Sequence, residues 1–157
     1  MSEDELTIEW FDGPREELAE LFALADDSAA EVERYREEGR VLVARERGAV
    51  IGHLQLLEPI GAREAELKSL AVLADEQGRG IGRRLVERAK GAARDSGYAG
   101  LLVATAAADT RVLRFYQLLG FRMLRVERDA FTPENGYPEL DVDGIPLRDR
   151  LWLSLDL

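Results

Sequence analysis

Gln77-Gly78-Arg79-Gly80-Ile81-Gly82-Arg83-Arg84 follows a strand-like run and opens the longest helical pattern in the chain. The stretch reads as an anion cradle. Glycines lack a Cβ, so the backbone turns sharply and brings successive N–H groups up to a ligand, and the helix that follows adds unpaired donors and a partial positive charge. A diphosphate is the natural occupant. Two other phosphate loops fail on the residues. A P-loop closes on Gly-Lys-Ser/Thr, whereas Gly82 is followed by Arg83 and Arg84, so both the phosphate-binding lysine and the magnesium-binding hydroxyl are missing. A dinucleotide fingerprint counted from Gly78 and Gly80 needs its third glycine where Arg83 stands, and belongs near the start of a βαβ fold. What remains is Gln-x-x-Gly-x-Gly, carried by Gln77, Gly80 and Gly82. The plain alternative is a turn that only caps a helix; three glycines and two arginines exceed what a cap requires.

Working outward, Ala65 to Val72 alternates Glu66, Lys68, Leu70 and Val72 against Leu67, Ser69 and Ala71, the period of a strand. From Gly80 to Ser96, Ile81, Leu85, Ala89 and Ala93 fall on one stripe and Arg84, Glu87, Arg88 and Arg94 on others, so the segment is an amphipathic helix ended by Gly97. Leu101 to Ala104 is a continuous apolar strand. Together these form a βαβ unit with the glycine loop at its carboxyl edge, where open α/β sheets bind ligands.

Upstream, Thr7 to Phe11 predicts a first strand ended by Asp12-Gly13-Pro14, and Pro14 opens a helix on Leu18, Leu21, Phe22 and Ala25. A second helix runs from about Ser28 to Glu38, with Ser28 as N-cap, Glu31 as capping-box partner and Gly39 as stop; its apolar face of Ala29, Val32 and Tyr35 is thin. Val41 to Ala44 and Val50 to Leu57 flank Glu46-Arg47-Gly48 as an antiparallel hairpin, with His53 inside the second strand, where a packed or surface role outranks a catalytic one. Downstream come a helix from Arg111 to Leu119, a strand from Phe121 to Arg128, a turn-rich excursion from Phe131 to Leu147, and a last strand from Arg150 to Leu155. In the excursion, Tyr137, Leu140 and Ile145 need something to pack on, either an acceptor site or a subunit interface. The expected architecture is an α/β single domain over residues 1–157, a mixed, mostly antiparallel sheet of about seven strands flanked by about four helices.

The chain has 157 residues, 46% hydrophobic, enough for one core. Its net charge of −10 opposes nucleic acid or an anionic membrane as main partner and is compatible with a cationic one. With no cysteine and His53 as the one histidine, disulfides, thiolate metal sites, a cysteine acyl-enzyme and multi-histidine metal sites are excluded. The acidic start, Met1-Ser2-Glu3-Asp4-Glu5, is unlike a signal peptide, and no apolar run reaches membrane-spanning length, so a cytoplasmic protein is expected.

Two motifs carry a resemblance. Gln77-x-x-Gly80-x-Gly82, preceded by Glu66-Leu67-Lys68-Ser69-Leu70-Ala71-Val72, is similar to the acetyl-CoA signature of the GNAT superfamily of N-acetyltransferases, and Tyr116-Gln117-Leu118-Leu119-Gly120-Phe121 is similar to that family's Tyr-x-x-x-Gly-Phe. The order of elements resembles the GNAT fold over nearly the whole chain. This resemblance implies acetyl-CoA as co-substrate without a metal, and acetyl transfer to a primary amine, expected to be a small molecule, by direct transfer in a ternary complex. It implies a coenzyme site on the main chain of Leu70, Ala71 and Val72 and on Gln77, Gly78, Arg79, Gly80, Ile81, Gly82 and Arg83, with Arg84 either beside it or on a solvated helix face. Tyr116 matches the tyrosine that protonates the departing thiolate, Glu66 a carboxylate that in some members deprotonates the amine, and Ser69 a position that can bond the acceptor. One departure stands out: where relatives often carry a coenzyme-binding asparagine, this chain has Ala106-Ala107-Ala108, which moves that contact to Thr105, Asp109 or Thr110 or loses it. The last segment resembles an extended final hairpin of a bacterial subgroup often labelled aminoglycoside acetyltransferase. A protein N-terminus or lysine as acceptor, a non-catalytic acyl-CoA sensor and a homodimer all stay open.

Overall fold

Seven strands make one sheet in the computed structural model, which describes residues 5–157; Met1 to Asp4, most of the acidic start, lie outside the described residues. In spatial order they are β1 (Thr7–Phe11), β2 (Arg40–Glu46), β3 (Ala49–Leu57), β4 (Glu64–Val72), β5 (Gly100–Ala106), β9 (Arg150–Asp156) and β6 (Arg122–Glu127). Only β4 and β5 pair in parallel; every other neighbour is antiparallel. The turn between β2 and β3 places Arg47 at φ 53° and Gly48 at φ 76°, the two positive angles that a tight hairpin requires.

Helices α1 (Ala19–Ala25), α2 (Ala29–Tyr35), α3 (Ile81–Asp95) and α4 (Thr110–Leu118) divide between the two faces. On one, Ile81, Leu85, Val86 and Ala89 of α3 and Leu113 and Tyr116 of α4 pack on Leu42, Leu54, Leu67, Leu101 and Val103. On the other, Leu18, Leu21, Phe22 and Tyr35 pack on Val41, Val43 and Ala71. The residues of β2 show the logic: Leu42 and Ala44 serve one face, Val41 and Val43 the other.

Three local expectations change. Pro14 opens a 3-10 turn, Arg15–Leu18, before the α-helix begins at Ala19. The thin apolar face of α2 is compensated by polar ties. Ser28 Oγ accepts from the Glu31 N–H at 3.2 Å, Arg15 donates to the carbonyls of Arg36, Glu38 and Gly39, and Gln55 Nε2 donates to those of Tyr35 and Glu38. Strand β4 does not alternate strictly. Its register against β3 slips between Gln55↔Ser69 and Leu56↔Leu67, leaving Lys68 as the extra residue of a bulge. Past that point the phase inverts: Leu67 and, three and five residues on, Leu70 and Val72 pack on the α3 side, while Ser69 and Ala71 turn with Lys68 to the side of α1 and α2.

The excursion from Phe131 to Leu147 is tied together by its own main chain. Phe131 N–H donates to the Arg148 carbonyl at 2.8 Å and Leu147 N–H to that of Leu140 at 2.9 Å, and β7 (Asp141–Val142) and β8 (Ile145–Pro146) form a small hairpin.

Candidate active site

The glycine loop takes its shape from positive φ. Gly78 (82°) and Gly80 (79°) are both left-handed, and a Cβ at either would meet nothing within 4 Å, so these glycines are needed for conformation and leave open space in front of them. Gly82 differs. A Cβ there would stand 3.3 Å from Phe115 Cζ, so this glycine allows α4 to approach the start of α3 closely. Gln77 turns back, its Nε2 donating to the Val72 carbonyl at 3.0 Å and pinning the loop to the end of β4. Arg83 and Arg84 are exposed and pair with no described residue. Arg79, in contrast, directs its guanidinium to Glu46, at 2.8 and 3.1 Å, and to Glu76.

Beside the loop the sheet opens. Pairing of β4 with β5 ends at Leu67↔Val103, although β4 runs on to Val72 and β5 to Ala106. Leu73 N–H donates to the Ile51 carbonyl, which fixes the antiparallel alternation: Ala71 spends its main-chain groups on His53, while Leu70 and Val72 turn theirs toward the splay. Tyr116 lies on the α3 side of that splay, its ring edge-on to Phe115 (5.1 Å) and Phe121 (5.4 Å). Burial raises its pKa. Its hydroxyl has no hydrogen-bond partner among the described residues, and it is not one of their sealed, unpartnered polar atoms, which are His53 Nδ1 and Gln55 Oε1.

On the opposite face lies a cleft of about 340 Å³. Its walls come from the end of α1 (Asp26, Asp27), from α2 (Tyr35), from β4 (Glu66, Lys68) and from the excursion (Phe131, Tyr137). Burial raises the pKa of Glu66, against the lowering effect of Lys68 and Arg150; Lys68 Nζ is 3.9 Å from its carboxylate and 4.7 Å from the centre of the Tyr35 ring. Tyr35 donates to Asp26 at 2.9 Å. Asp27 makes no hydrogen bond or ion pair with a described residue, and its pKa is raised by burial, then by Asp26 and Asp109. Ser69 does not face the cleft. It is buried with its Oγ 2.7 Å from His53 Nε2, and His53, fully buried against Phe22, has a pKa lowered to about 3 by desolvation first and Arg15 second. Among the described residues no group of three or more His, Asp or Glu side chains could hold a metal.

Residues 3–121 match the sequence model of the family described as Acetyltransferase (GNAT) family. The chain belongs to the GNAT family. It is 31% identical over 158 residues to a Bacillus subtilis (strain 168) protein named an uncharacterized N-acetyltransferase, YvbK, the alignment covering all of both chains. It is similar to the structure of an IAA acetyltransferase from Bacillus cereus ATCC 14579, 33% identical with a TM-score of 0.87 over 98% of this chain and 100% of that one. A GNAT family acetyltransferase from Elizabethkingia anophelis with acetyl-CoA bound is 28% identical, TM-score 0.88, over 98% and 99% of the two chains. GNAT membership makes this chain an N-acetyltransferase with acetyl-CoA as its co-substrate. The mostly antiparallel seven-stranded sheet and four helices agree with that fold.

The loop fits a coenzyme on its own geometry, through the open space before Gly78 and Gly80 and through Arg83 and Arg84, which pair with no described residue. Of the residues read from the sequence, Gly78 to Arg83 lie on the loop and helix start, Leu70 and Val72 on the splay, and Glu66 in the cleft; Tyr116 stands across the sheet from Glu66. Thr105 and Asp109 both line the cleft, and Asp109 also caps α4, its Oδ1 accepting from the Val112 N–H at 3.2 Å. Sequence reasoning missed Asp26, Asp27, Tyr35 and Arg150, because nothing local marks a helix-end aspartate as lining a cleft closed by a segment more than a hundred residues away. The one available signal was Tyr137, an aromatic in a turn-forming stretch.

Proposed function

We propose that this enzyme, acting as one unit over residues 1–157, moves the acetyl group of acetyl-CoA to a primary amine of a small molecule by direct transfer in a ternary complex. The observation that carries this reading is the juxtaposition of Glu66 with the splay between β4 and β5, in a cleft walled by the excursion. Loop N–H groups from Gly78 to Gly82, with Arg83 and Arg84 beside them, hold the pyrophosphate. Glu66, directly or through a water, takes a proton from the ammonium, and the freed nitrogen lone pair forms the new C–N bond. Leu70 supplies an N–H to the carbonyl oxygen as charge builds there. When the C–S bond breaks, the Tyr116 hydroxyl protonates the sulfur, the bonded nitrogen sheds its second proton to water to leave the neutral amide, and the phenolate is reprotonated from solvent.

Asp27 is the counter-charge for the incoming amine, since an unpaired carboxylate held in a partly dry cleft is stabilised by a cation. A cleft walled by Phe131 and Tyr137 favours a small acceptor over a peptide, which needs an open groove. Presence of both Glu66 and Tyr116 disfavours a sensor without catalysis. The test is the pH dependence of kcat/KM. Because burial raises the pKa of Glu66, activity should fall as pH drops through a value above the usual glutamate range, and Glu66→Gln should lower kcat/KM by about 10²-fold or more and flatten that limb. A variant with the parent's rate and profile would remove Glu66 as base.

A further inference from the structure

Arg79 sits between the two left-handed glycines of the loop, and its side chain leaves the loop altogether. Both terminal nitrogens reach Glu46, 33 residues earlier at the end of β2, Nη2 to Oε2 at 2.8 Å and Nη1 to Oε1 at 3.1 Å, while Nη1 also reaches Glu76. Glycine loses more freedom on ordering than any other residue, so a Gly-x-Gly loop left to itself samples many shapes and has to be ordered by its ligand. A planar guanidinium held by two carboxylates fixes the residue between the glycines and gives the neighbouring peptide groups one orientation. With its charge matched by Glu46 and Glu76, the side chain has little left to offer a phosphate. Arg83 and Arg84, which pair with no described residue, are the cations available for that purpose.

We infer that the Arg79 side chain positions the loop and is not itself a phosphate ligand: tied to Glu46 of the β2–β3 hairpin and to Glu76, it holds the glycine loop in its coenzyme-binding shape before the coenzyme arrives. The inference rests on the acetyl-CoA reading of this loop for its consequence, though not for its structural content. The gain is preorganisation, which appears in affinity and leaves the chemical step alone.

The test has two arms. Without ligand, amide hydrogen exchange at Gly78 to Gly82 is compared in the parent, Glu46→Gln, Arg79→Met, Arg79→Lys and the double variant Glu46→Gln/Arg79→Met. Exchange should quicken by about fivefold in Glu46→Gln and Arg79→Met, the scale of an exposed ion-pair network, with the double variant no faster than the singles. With coenzyme A, calorimetry should show a dissociation constant about fivefold weaker in Glu46→Gln, a residue outside the loop and the cleft, while kcat at saturating acetyl-CoA stays at the parent's value. Arg79→Lys decides between the roles: it keeps the charge and loses the fork, so it should resemble Arg79→Met if Arg79 positions the loop, and the parent if it attracts phosphate. Parent-like affinity in both Glu46→Gln and Arg79→Lys, or unchanged exchange in every variant, would overturn the inference. Should the parent itself fail to bind coenzyme A, the acetyl-CoA reading falls, and the exchange arm still decides whether the clamp holds the loop.

Discussion

Tyr116 has two separable roles, and one substitution parts them. Its ring fills a gap between Phe115 and Phe121, which phenylalanine would do equally well; its hydroxyl, without a partner among the described residues and kept protonated by burial, is the proposed acid. Tyr116→Phe should therefore keep coenzyme affinity, shift stability by no more than about 1 kcal/mol and lower turnover by about 10² to 10⁴-fold. Parent-like turnover would leave the thiolate without its donor. His53 yields a prediction of another kind. It titrates near 6.5 when unfolded and at about 3 when folded, so the folded state binds fewer protons between these values and stability declines as pH falls across that window. Denaturant unfolding at pH 7 and 4.5 should show a loss in the parent of up to about 1.4 kcal/mol per pH unit that His53→Gln lacks; equal slopes would mean His53 is not held neutral. The sequence allowed His53 a packed role but gave no sign that Ser69 was its partner, because the bulge at Lys68 decides which side chains of β4 share a face, and a bulge leaves no mark in a period-two pattern.

Among the elements, the glycine loop was legible and the excursion only half so. Gln77, Gly80 and Gly82 fixed the loop's place, yet their spacing could not tell that Gly80 is required for a left-handed turn and Gly82 for contact with Phe115. Gly80→Glu should weaken coenzyme A by at least about tenfold, as strain and negative charge enter where phosphate is expected, whereas Gly82→Ala should first disturb Phe115 and be read in melting temperature. Calorimetry and thermal melts distinguish these; similar behaviour of the two would contradict the separate roles. In the excursion, Tyr137 is buried and Leu140 lines the cleft, but Ile145, expected to pack, is 43% exposed. Asp26 links the two walls, accepting from Tyr35 and raising the pKa of Tyr137 after burial itself. Deleting residues 134–144 should therefore broaden acceptor use and raise acceptor KM while coenzyme affinity holds. An unaltered acceptor profile would make the segment a passive loop.

At the scale of the whole molecule, element order and the one βαβ unit were enough for the fold, because burial on one face leaves an antiparallel strand few alternatives. The cleft was not readable: it is assembled from α1, α2, β4, β5 and the excursion, and only folding brings Asp27 and Tyr137 to one wall. Among the described residues no helix is long and apolar enough to cross a membrane. The central claim is acetyl transfer to a small amine with Glu66 and Tyr116 on opposite faces of one splay. The most direct measurement follows thiol release from acetyl-CoA across a panel of small amines, amino acids and lysine-bearing peptides, with the acetylated product identified by mass. The account predicts that a cationic small amine gives thiol and N-acetyl product in equal amounts, with intersecting initial-velocity patterns and no acceptor-independent burst. Coenzyme binding with no acceleration of thiol release by any amine, or acceleration by peptides alone, would contradict it.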